Sequence, residues 1–140
     1  METKRVVILV SGEGTNLQAL IDISKLDLLP IEIVAVFSNV VDCMALNRAK
    51  LSDIPILSLE YNKNKQTRSD YDTLVSDMIS EYKPDLVLLL GYMRIVSSVF
   101  IQSFPHILNL HPALPGEIPG SNAIESAYYK FQKGHIKETG

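Results

Sequence analysis

The sequence has one cysteine, no long apolar run and no excess of basic side chains. Cys43 alone cannot form an intramolecular disulfide, and it has no Cys or His partners at the spacing of zinc ligands. No apolar run reaches the roughly 18 residues that a membrane-spanning helix requires. The apolar stretch at residues 6–10 is also shorter than the core of a signal peptide. These absences predict a cytoplasmic protein without a metal site or a membrane contact.

The net charge limits the classes of partner. The 140 residues carry 13 basic and 16 acidic side chains, a formal net charge of −3. Proteins that bind nucleic acid generally show a basic stripe or patch, and none is evident in this sequence. An anionic small molecule would therefore be bound locally, by backbone amides or by one or two arginines. The length suits a single domain over residues 1–140.

Apolar runs alternate with helical patterns along the whole chain. Continuous apolar runs are typical of strands buried on both faces of a parallel sheet. Their alternation with helices predicts an α/β fold, with a parallel, Rossmann-like sheet flanked by helices. The predicted strands cover residues 6–10, 31–37, 54–57, 85–90 and 107–110, and the predicted helices lie near residues 17–21, 44–51, 68–82 and 124–131. The apolar stripe of the helix at 68–82 consists of Tyr71, Leu74, Val75, Met78, Ile79 and Tyr82.

The first candidate site is the glycine loop that follows the first strand. In open α/β sheets, ligands bind at the carboxyl ends of the strands, next to a topological switch point. Gly12 and Gly14 let the backbone approach a ligand, and amides at the start of the next helix can donate to a phosphate. Thr15 and Asn16 add a hydroxyl and a side-chain amide. The spacing matches neither the dinucleotide fingerprint nor a P-loop, so a tight turn without a ligand stays an alternative.

Asn109 and His111 form the second candidate site. Side chains two residues apart on a strand point to the same side, so these two project together from the end of the last strand. An amide donor beside an imidazole suits a reaction that develops negative charge on a carbonyl oxygen. The alternative is a histidine that hydrogen-bonds its own loop. Ser11 lacks the Gly-x-Ser-x-Gly context of a serine nucleophile.

Two arginines are candidates for binding an anion. Arg94 follows a buried strand, where it is either a solvated end residue or a fixed cation above the cleft. Arg68 lies at the start of a predicted helix, where its positive charge opposes the helix dipole. That small unfavourable interaction is a hint that Arg68 binds an anion.

Four segments of the sequence carry a recognisable pattern: residues 8–19 with Ser-Gly-Glu-Gly-Thr-Asn, residues 36–39, residues 91–95, and residues 108–116 with Leu-Asn-Leu-His-Pro. They resemble the folate-dependent formyltransferases that act on glycinamide ribonucleotide. The N-terminal loop resembles the enzymes that hold a ribose phosphate more than it resembles methionyl-tRNA formyltransferases or deformylases. The resemblance implies the family's N-terminal parallel fold. It also implies transfer of a formyl group from the co-substrate 10-formyltetrahydrofolate to the amine of glycinamide ribonucleotide in purine biosynthesis.

The resemblance further implies roles for individual residues. Gly14, Thr15 and Asn16 are expected to hold the phosphate of glycinamide ribonucleotide. Asn109 and His111 are expected to be catalytic, Asn109 donating to the oxyanion of a tetrahedral intermediate and His111 donating a proton. The residues expected to line the folate site are Arg68, Met93, Arg94, Ile95, Val96 and Asn109.

The sequence departs from the family's pattern at its end. Family members continue into a further strand and a loop whose aspartate pairs with the histidine, whereas this sequence ends at residues 138–140. We expect a formyltransferase domain lacking that C-terminal segment, active when its own protein or a partner chain supplies the segment. Two alternatives stay open: a phosphosugar-binding module without catalysis, and a folate-dependent formyltransferase for another amine.

Overall fold

Five strands and four helices make up the part of the protein that the computed structural model describes, residues 3–26 and 29–110. The strands are β1 (Lys4–Val10), β2 (Ile31–Ser38), β3 (Ile56–Ser58), β4 (Leu86–Leu90) and β5 (Ile107–Leu110). The helices are α1 (Thr15–Lys25), α2 (Met44–Leu51), α3 (Arg68–Ser80) and α4 (Ser98–Ser103). Strands and helices thus alternate along the described chain.

The strand order is β3-β2-β1-β4-β5, and every neighbouring pair is parallel. The chain first builds outward from β1 to β2 and β3, and then crosses to the other side of β1 for β4 and β5. This change of direction falls between β1 and β4, which are paired from Val6 opposite Leu86 to Leu9 opposite Leu89. The predicted α/β class with a parallel sheet is confirmed.

Alternate residues of β1 supply two apolar cores, one on each face of the sheet. Val6, Ile8 and Val10 pack with α1 and α2. Val7 and Leu9 pack with α3 and α4. All five side chains are at most 1% exposed, and full burial of one such side chain contributes about 1.5–3 kcal/mol. Because β1 is covered on both faces and paired on both edges, it is a firm base for the loop that follows it.

β3 is shorter than predicted and begins later in the sequence. It starts at Ile56 rather than at residue 54. Ile54 donates its amide back to the carbonyl of Ala49, and Pro55 has no amide to donate, although its carbonyl accepts from Val36. A short strand that follows a proline is typical of the edge of a sheet.

α3 keeps the predicted register but buries a different set of side chains. Tyr71 and Val75 are fully buried, as predicted, whereas Leu74 is 47% exposed. Asp72 is only 2% exposed, and its carboxylate accepts a hydrogen bond from the amide of Ser97 at 2.7 Å. The segment after β4 therefore packs on the face of α3 that carries Asp72, a polar residue outside the predicted apolar stripe.

Two further differences concern helix ends and helix number. α3 stops at Ser80 because the chain turns at Lys83, which has a left-handed φ of 49° immediately before Pro84. α4 is not predicted from the sequence, since its six residues bury only Phe100 and are too few for a periodic stripe. The helix predicted at residues 124–131 lies outside the described residues.

Candidate active site

The candidate site lies where the sheet changes direction. The loops that follow β1 and β4 leave the carboxyl ends of two adjacent strands. In a parallel sheet, the loops on either side of such a switch point diverge and leave a crevice between them. The predicted glycine loop and the predicted segment 91–96 are therefore brought together by the strand order.

A cavity of about 180 Å³ opens in this crevice. One wall is the glycine loop with the start of α1, and the other is the end of β4 with the segment that follows it. The lining residues are Gly12, Glu13, Gly14, Thr15, Asn16, Leu90, Gly91 and Met93. The cavity is lined by all three residues expected to hold a phosphate and by Met93, one of those expected to line a folate site.

Gly14 is the residue that shapes the glycine loop. Its φ is +77°, and a Cβ built there would lie 2.7 Å from the Cα of Ala45 in α2. The loop is also tied to α2 by two hydrogen bonds, from Ala45 N to Gly12 O at 3.0 Å and from Arg48 Nε to Glu13 O at 2.7 Å. These contacts with α2 therefore fix the conformation of the loop.

The start of α1 suits an anion. The N-cap is Gly14, which has no side chain to occupy the first amides of the helix, and the first turn holds no acidic residue. These amides and the positive end of the helix dipole are arranged as in many phosphate sites. Among the residues that the structure describes, none beyond the chain neighbours of Gly12 has an atom within 4 Å of a Cβ built there, so the backbone is open to close approach by a ligand.

Ser11 connects the ends of three adjacent strands, a role that the sequence analysis does not assign. Its Oγ donates to Asn39 Oδ1, just after β2, at 2.5 Å. The same Oγ accepts the amide of Met93, after β4, at 2.8 Å. A serine and an asparagine at the carboxyl ends of neighbouring predicted strands are a sequence signal that could have suggested this contact.

The segment after β4 alternates between outward and inward side chains. Met93 and Ile95 are each 73% exposed. Between them, the guanidinium of Arg94 lies over two aromatic rings, 4.1 Å from the centroid of Tyr61 and 4.6 Å from that of Tyr71. Arg94 is thus a fixed cation held by aromatic faces, not a solvated end residue.

Tyr71 and Tyr92 are neutral at neutral pH, and burial raises the pKa of both phenols further above it. Burial raises the pKa of Tyr71 to about 12, although the Arg94 guanidinium opposes the rise. Burial also raises the pKa of Tyr92. The phenol of Tyr71 donates to the carbonyl of Leu59. These side chains therefore support the segment by packing and hydrogen bonding rather than by acid–base chemistry at neutral pH.

Arg68, Val96 and Asn109 do not line the cavity, and His111 lies outside the described residues. Arg68 is exposed at the first position of α3, a helix capped by Thr67. Val96 packs against the core on the α3 and α4 face. Asn109 is half-buried in β5, paired with Leu89 of β4.

Within residues 3–26 and 29–110, no group of three or more His, Cys, Asp or Glu side chains is placed to hold a metal ion. None of the helices in these two ranges has the length and apolar character needed to cross a membrane.

Comparison with known proteins matches residues 4–136 to the Formyl transferase family. The chain is 40% identical to the phosphoribosylglycinamide formyltransferase of Dictyostelium discoideum, over 99% of this chain and 73% of that protein. It is 38% identical to the trifunctional purine biosynthetic protein adenosine-3 of Bos taurus, over 86% of this chain and 12% of that protein. The crystal structure of glycinamide ribonucleotide transformylase 1 from Symbiobacterium toebii matches with a TM-score of 0.74 and 34% identity.

This last match covers 91% of the present chain and 60% of the solved one. The chain therefore spans about three fifths of that solved relative. The sequence matches and the structural match lead to the same assignment. The chain belongs to the formyl transferase family, among the phosphoribosylglycinamide formyltransferases.

Proposed function

We propose that this protein transfers the formyl group of 10-formyltetrahydrofolate to the amine of glycinamide ribonucleotide, in the cytoplasm. The observation that carries the proposal is the cavity at the switch point, which joins an anion-binding helix start to the segment containing Met93. The family membership supports the reaction class, and the geometry of the cavity supports the division of the site into an acceptor side and a donor side.

The acceptor side is the glycine loop. A phosphate monoester needs several N–H donors and a positive local potential, and the first turn of α1 offers both at Thr15 and Asn16. Gly12 allows the phosphate to approach the backbone, since no described residue other than its chain neighbours has an atom within 4 Å of where its Cβ would be. The global charge of −3 gives no general attraction for anions, so this local arrangement supplies the recognition.

The donor side is the segment after β4. The exposed side chains of Met93 and Ile95 provide an apolar surface for a pterin ring, and the contacts of Arg94 keep that surface in place. Arg68, exposed at the start of α3, is a cation available to the anionic tail of the folate. Val96 packs into the core and anchors the far end of the segment.

The chemistry requires a donor for the oxyanion and a group that moves a proton. The amine nitrogen attacks the formyl carbon, and the π electrons of the carbonyl move to its oxygen, which the Asn109 amide stabilises. The oxyanion then re-forms the carbonyl as the bond between the formyl carbon and the folate nitrogen breaks. His111 donates a proton to that departing nitrogen, and the attacking nitrogen releases one proton to water. The half-buried position of Asn109 beside β4 supports its role, and removal of one such donor typically lowers the rate about 10²–10³-fold.

The test is a formyl-transfer assay on this chain, run with and without the family's C-terminal segment supplied as a partner chain, and combined with calorimetric titration of glycinamide ribonucleotide. We expect turnover when the segment is supplied. Asn109→Ala should lower that turnover about 10²–10³-fold and His111→Ala should abolish it, with ribonucleotide affinity nearly unchanged in both. Asn47→Ala, which alters an exposed asparagine of α2, is the matched control and should retain full activity.

Two results would contradict the proposal. Saturable ribonucleotide binding by the folded chain, without turnover even when the C-terminal segment is supplied, would make it a phosphosugar-binding module. Equal loss of binding and turnover in His111→Ala would show that the division of roles is wrong.

A further inference from the structure

Ser11 has a hydrogen-bonding arrangement that the proposed reaction does not use directly. A serine hydroxyl has one proton to donate and two lone pairs to accept with. In Ser11 the proton goes to Asn39 Oδ1 at 2.5 Å, and one lone pair accepts the Met93 amide at 2.8 Å. One half-buried side chain thus links the carboxyl ends of β2, β1 and β4.

The contact to Met93 bridges the two walls of the cavity. Ser11 immediately precedes the glycine loop, and Met93 lines the opposite wall. Residues 91–97 have no helix or strand of their own. Apart from backbone bonds at the ends of the segment, such as that from Gly91 to Leu110, side-chain contacts hold them. Two of these contacts are with α3: Arg94 stacks on Tyr71, and Asp72 accepts a hydrogen bond from the Ser97 amide. The contact from Ser11 holds the segment from the cavity side.

A nucleophilic role for Ser11 does not fit this geometry. A serine nucleophile needs a neighbouring base to take its proton. The proton of Ser11 is directed to the amide oxygen of Asn39, which is not a base at neutral pH. The fixed orientation of the hydroxyl instead suits a group that holds another residue in place.

We propose that Ser11 is a positioning residue, which with Asn39 sets the distance between the phosphate-binding loop and the formyl-donor segment. This inference rests on the proposed function. Phosphate contacts come from the glycine loop and pterin contacts from the Met93 side, so the Ser11 hydroxyl fixes the separation of the two reactants. Misplacement of reacting groups by about 1 Å can lower the rate about 100-fold.

The test compares Ser11→Ala, Asn39→Ala and the double variant. We expect Ser11→Ala to lower kcat about 5- to 100-fold, with ribonucleotide affinity within about threefold because the loop amides remain. Asn39→Ala should have a smaller effect, since the hydroxyl keeps its contact to Met93. The double variant should equal Ser11→Ala, because the two side chains act as one unit.

Ser24→Ala is the matched control. It also removes a half-buried serine hydroxyl, which donates to Ile21 O at 2.7 Å within α1 and does not line the cavity. Its kcat should stay within about twofold of the unmodified chain, since substitutions away from the contacts of a site usually have small effects. Equal losses in Ser24→Ala and Ser11→Ala would reduce the role of Ser11 to general stability and would overturn the proposal.

Amide hydrogen exchange at Met93 separates this inference from the proposed function. Exchange there should quicken at least about tenfold in Ser11→Ala, because the amide loses its acceptor, and should not change in Ser24→Ala. Unchanged exchange at Met93 would overturn the positioning role whatever the activity. Failure of the unmodified chain to bind the ribonucleotide would overturn the proposed function, and exchange at Met93 would then decide the role of Ser11 alone.

Discussion

Replacing the glycines of the two switch-point loops by alanine should destabilise the protein by very different amounts. At Gly14, the φ of +77° imposes a cost of about 1–2 kcal/mol on a residue with a Cβ. The added Cβ would also lie 2.7 Å from both the Cα and the Cβ of Ala45, so α2 has to move. Overpacking of this kind costs about 1–3 kcal/mol. Gly14→Ala should therefore lower the free energy of unfolding by about 2–5 kcal/mol.

The other two glycines separate the cost of the left-handed backbone from the cost of overpacking. Gly91 has a φ of +68°, but apart from its chain neighbours no residue in 3–26 or 29–110 lies within 4 Å of its Cβ position. Gly91→Ala should therefore cost only the backbone strain of about 1–2 kcal/mol. Gly12 shows no left-handed φ, and in the described part of the chain no residue beyond its neighbours lies within 4 Å of its Cβ position. Gly12→Ala should change the stability by less than about 0.5 kcal/mol.

Urea unfolding of the three variants, followed by circular dichroism, measures these differences. The urea midpoint should be highest for Gly12→Ala, lower for Gly91→Ala and lowest for Gly14→Ala, with unchanged m-values. If Gly14→Ala were as stable as Gly12→Ala, the close packing of the loop on α2 would be refuted. In calorimetric titrations, Gly12→Ala should bind the ribonucleotide more weakly despite its normal stability, because its methyl group enters space beside the cavity.

Substitutions at three further positions test the elements that support the site. Burial raises the pKa of Tyr71 from 10.0 to about 12, so the stability that its neutral phenol contributes is complete below pH 10 and is lost as the pH rises to 12. Tyr71→Phe should therefore reduce the loss of stability over this pH range. Urea midpoints at about pH 9 and pH 11 measure that loss, and identical losses in both proteins would contradict the burial. Asp72→Ala should lower the free energy of unfolding by about 1–3 kcal/mol because the Ser97 amide loses its acceptor, and Asp72→Asn should lose less; urea unfolding of both variants measures the difference. Thr67→Ala should cost about 0.5–2 kcal/mol by removing the cap of α3, and an unchanged thermal midpoint would argue against that cap.

The sheet was predictable because its strands are continuous apolar runs. In a run such as residues 86–90, the side chains on both faces of the strand are apolar, so both faces have to be covered by helices. The order of the strands could not be read from the sequence, since apolar runs carry little information about which neighbour they pair with. The edge strand β3 is the weakest of these signals, because Pro55 and partial exposure interrupt its pattern.

The site was predictable where its chemistry depends on the backbone. Gly12 and Gly14 mark a loop between a strand and a helix, and the structure places that loop in a cavity. Side-chain contacts between distant segments were not predictable. Ser11 meets Met93 across 82 positions of sequence, and Arg94 turns inward onto Tyr61. Such contacts depend on the strand order and on rotamers, which a local pattern does not encode.

The pairing of β1 with β4 has a consequence for the order in which the molecule folds. The amide of Arg5 bonds to the carboxylate of Asp85, 80 positions away, and closing a chain segment of that length costs roughly 4 kcal/mol of entropy. β2 and β3 can join β1 through shorter connections, so the cavity between the loops after β1 and β4 exists only after this long closure. A ligand that touches both walls has nothing to bind before then. Such a ligand should slow unfolding while leaving the folding rate unchanged. At roughly one hundred times its Kd, it should add about 2.7 kcal/mol to the free energy of unfolding.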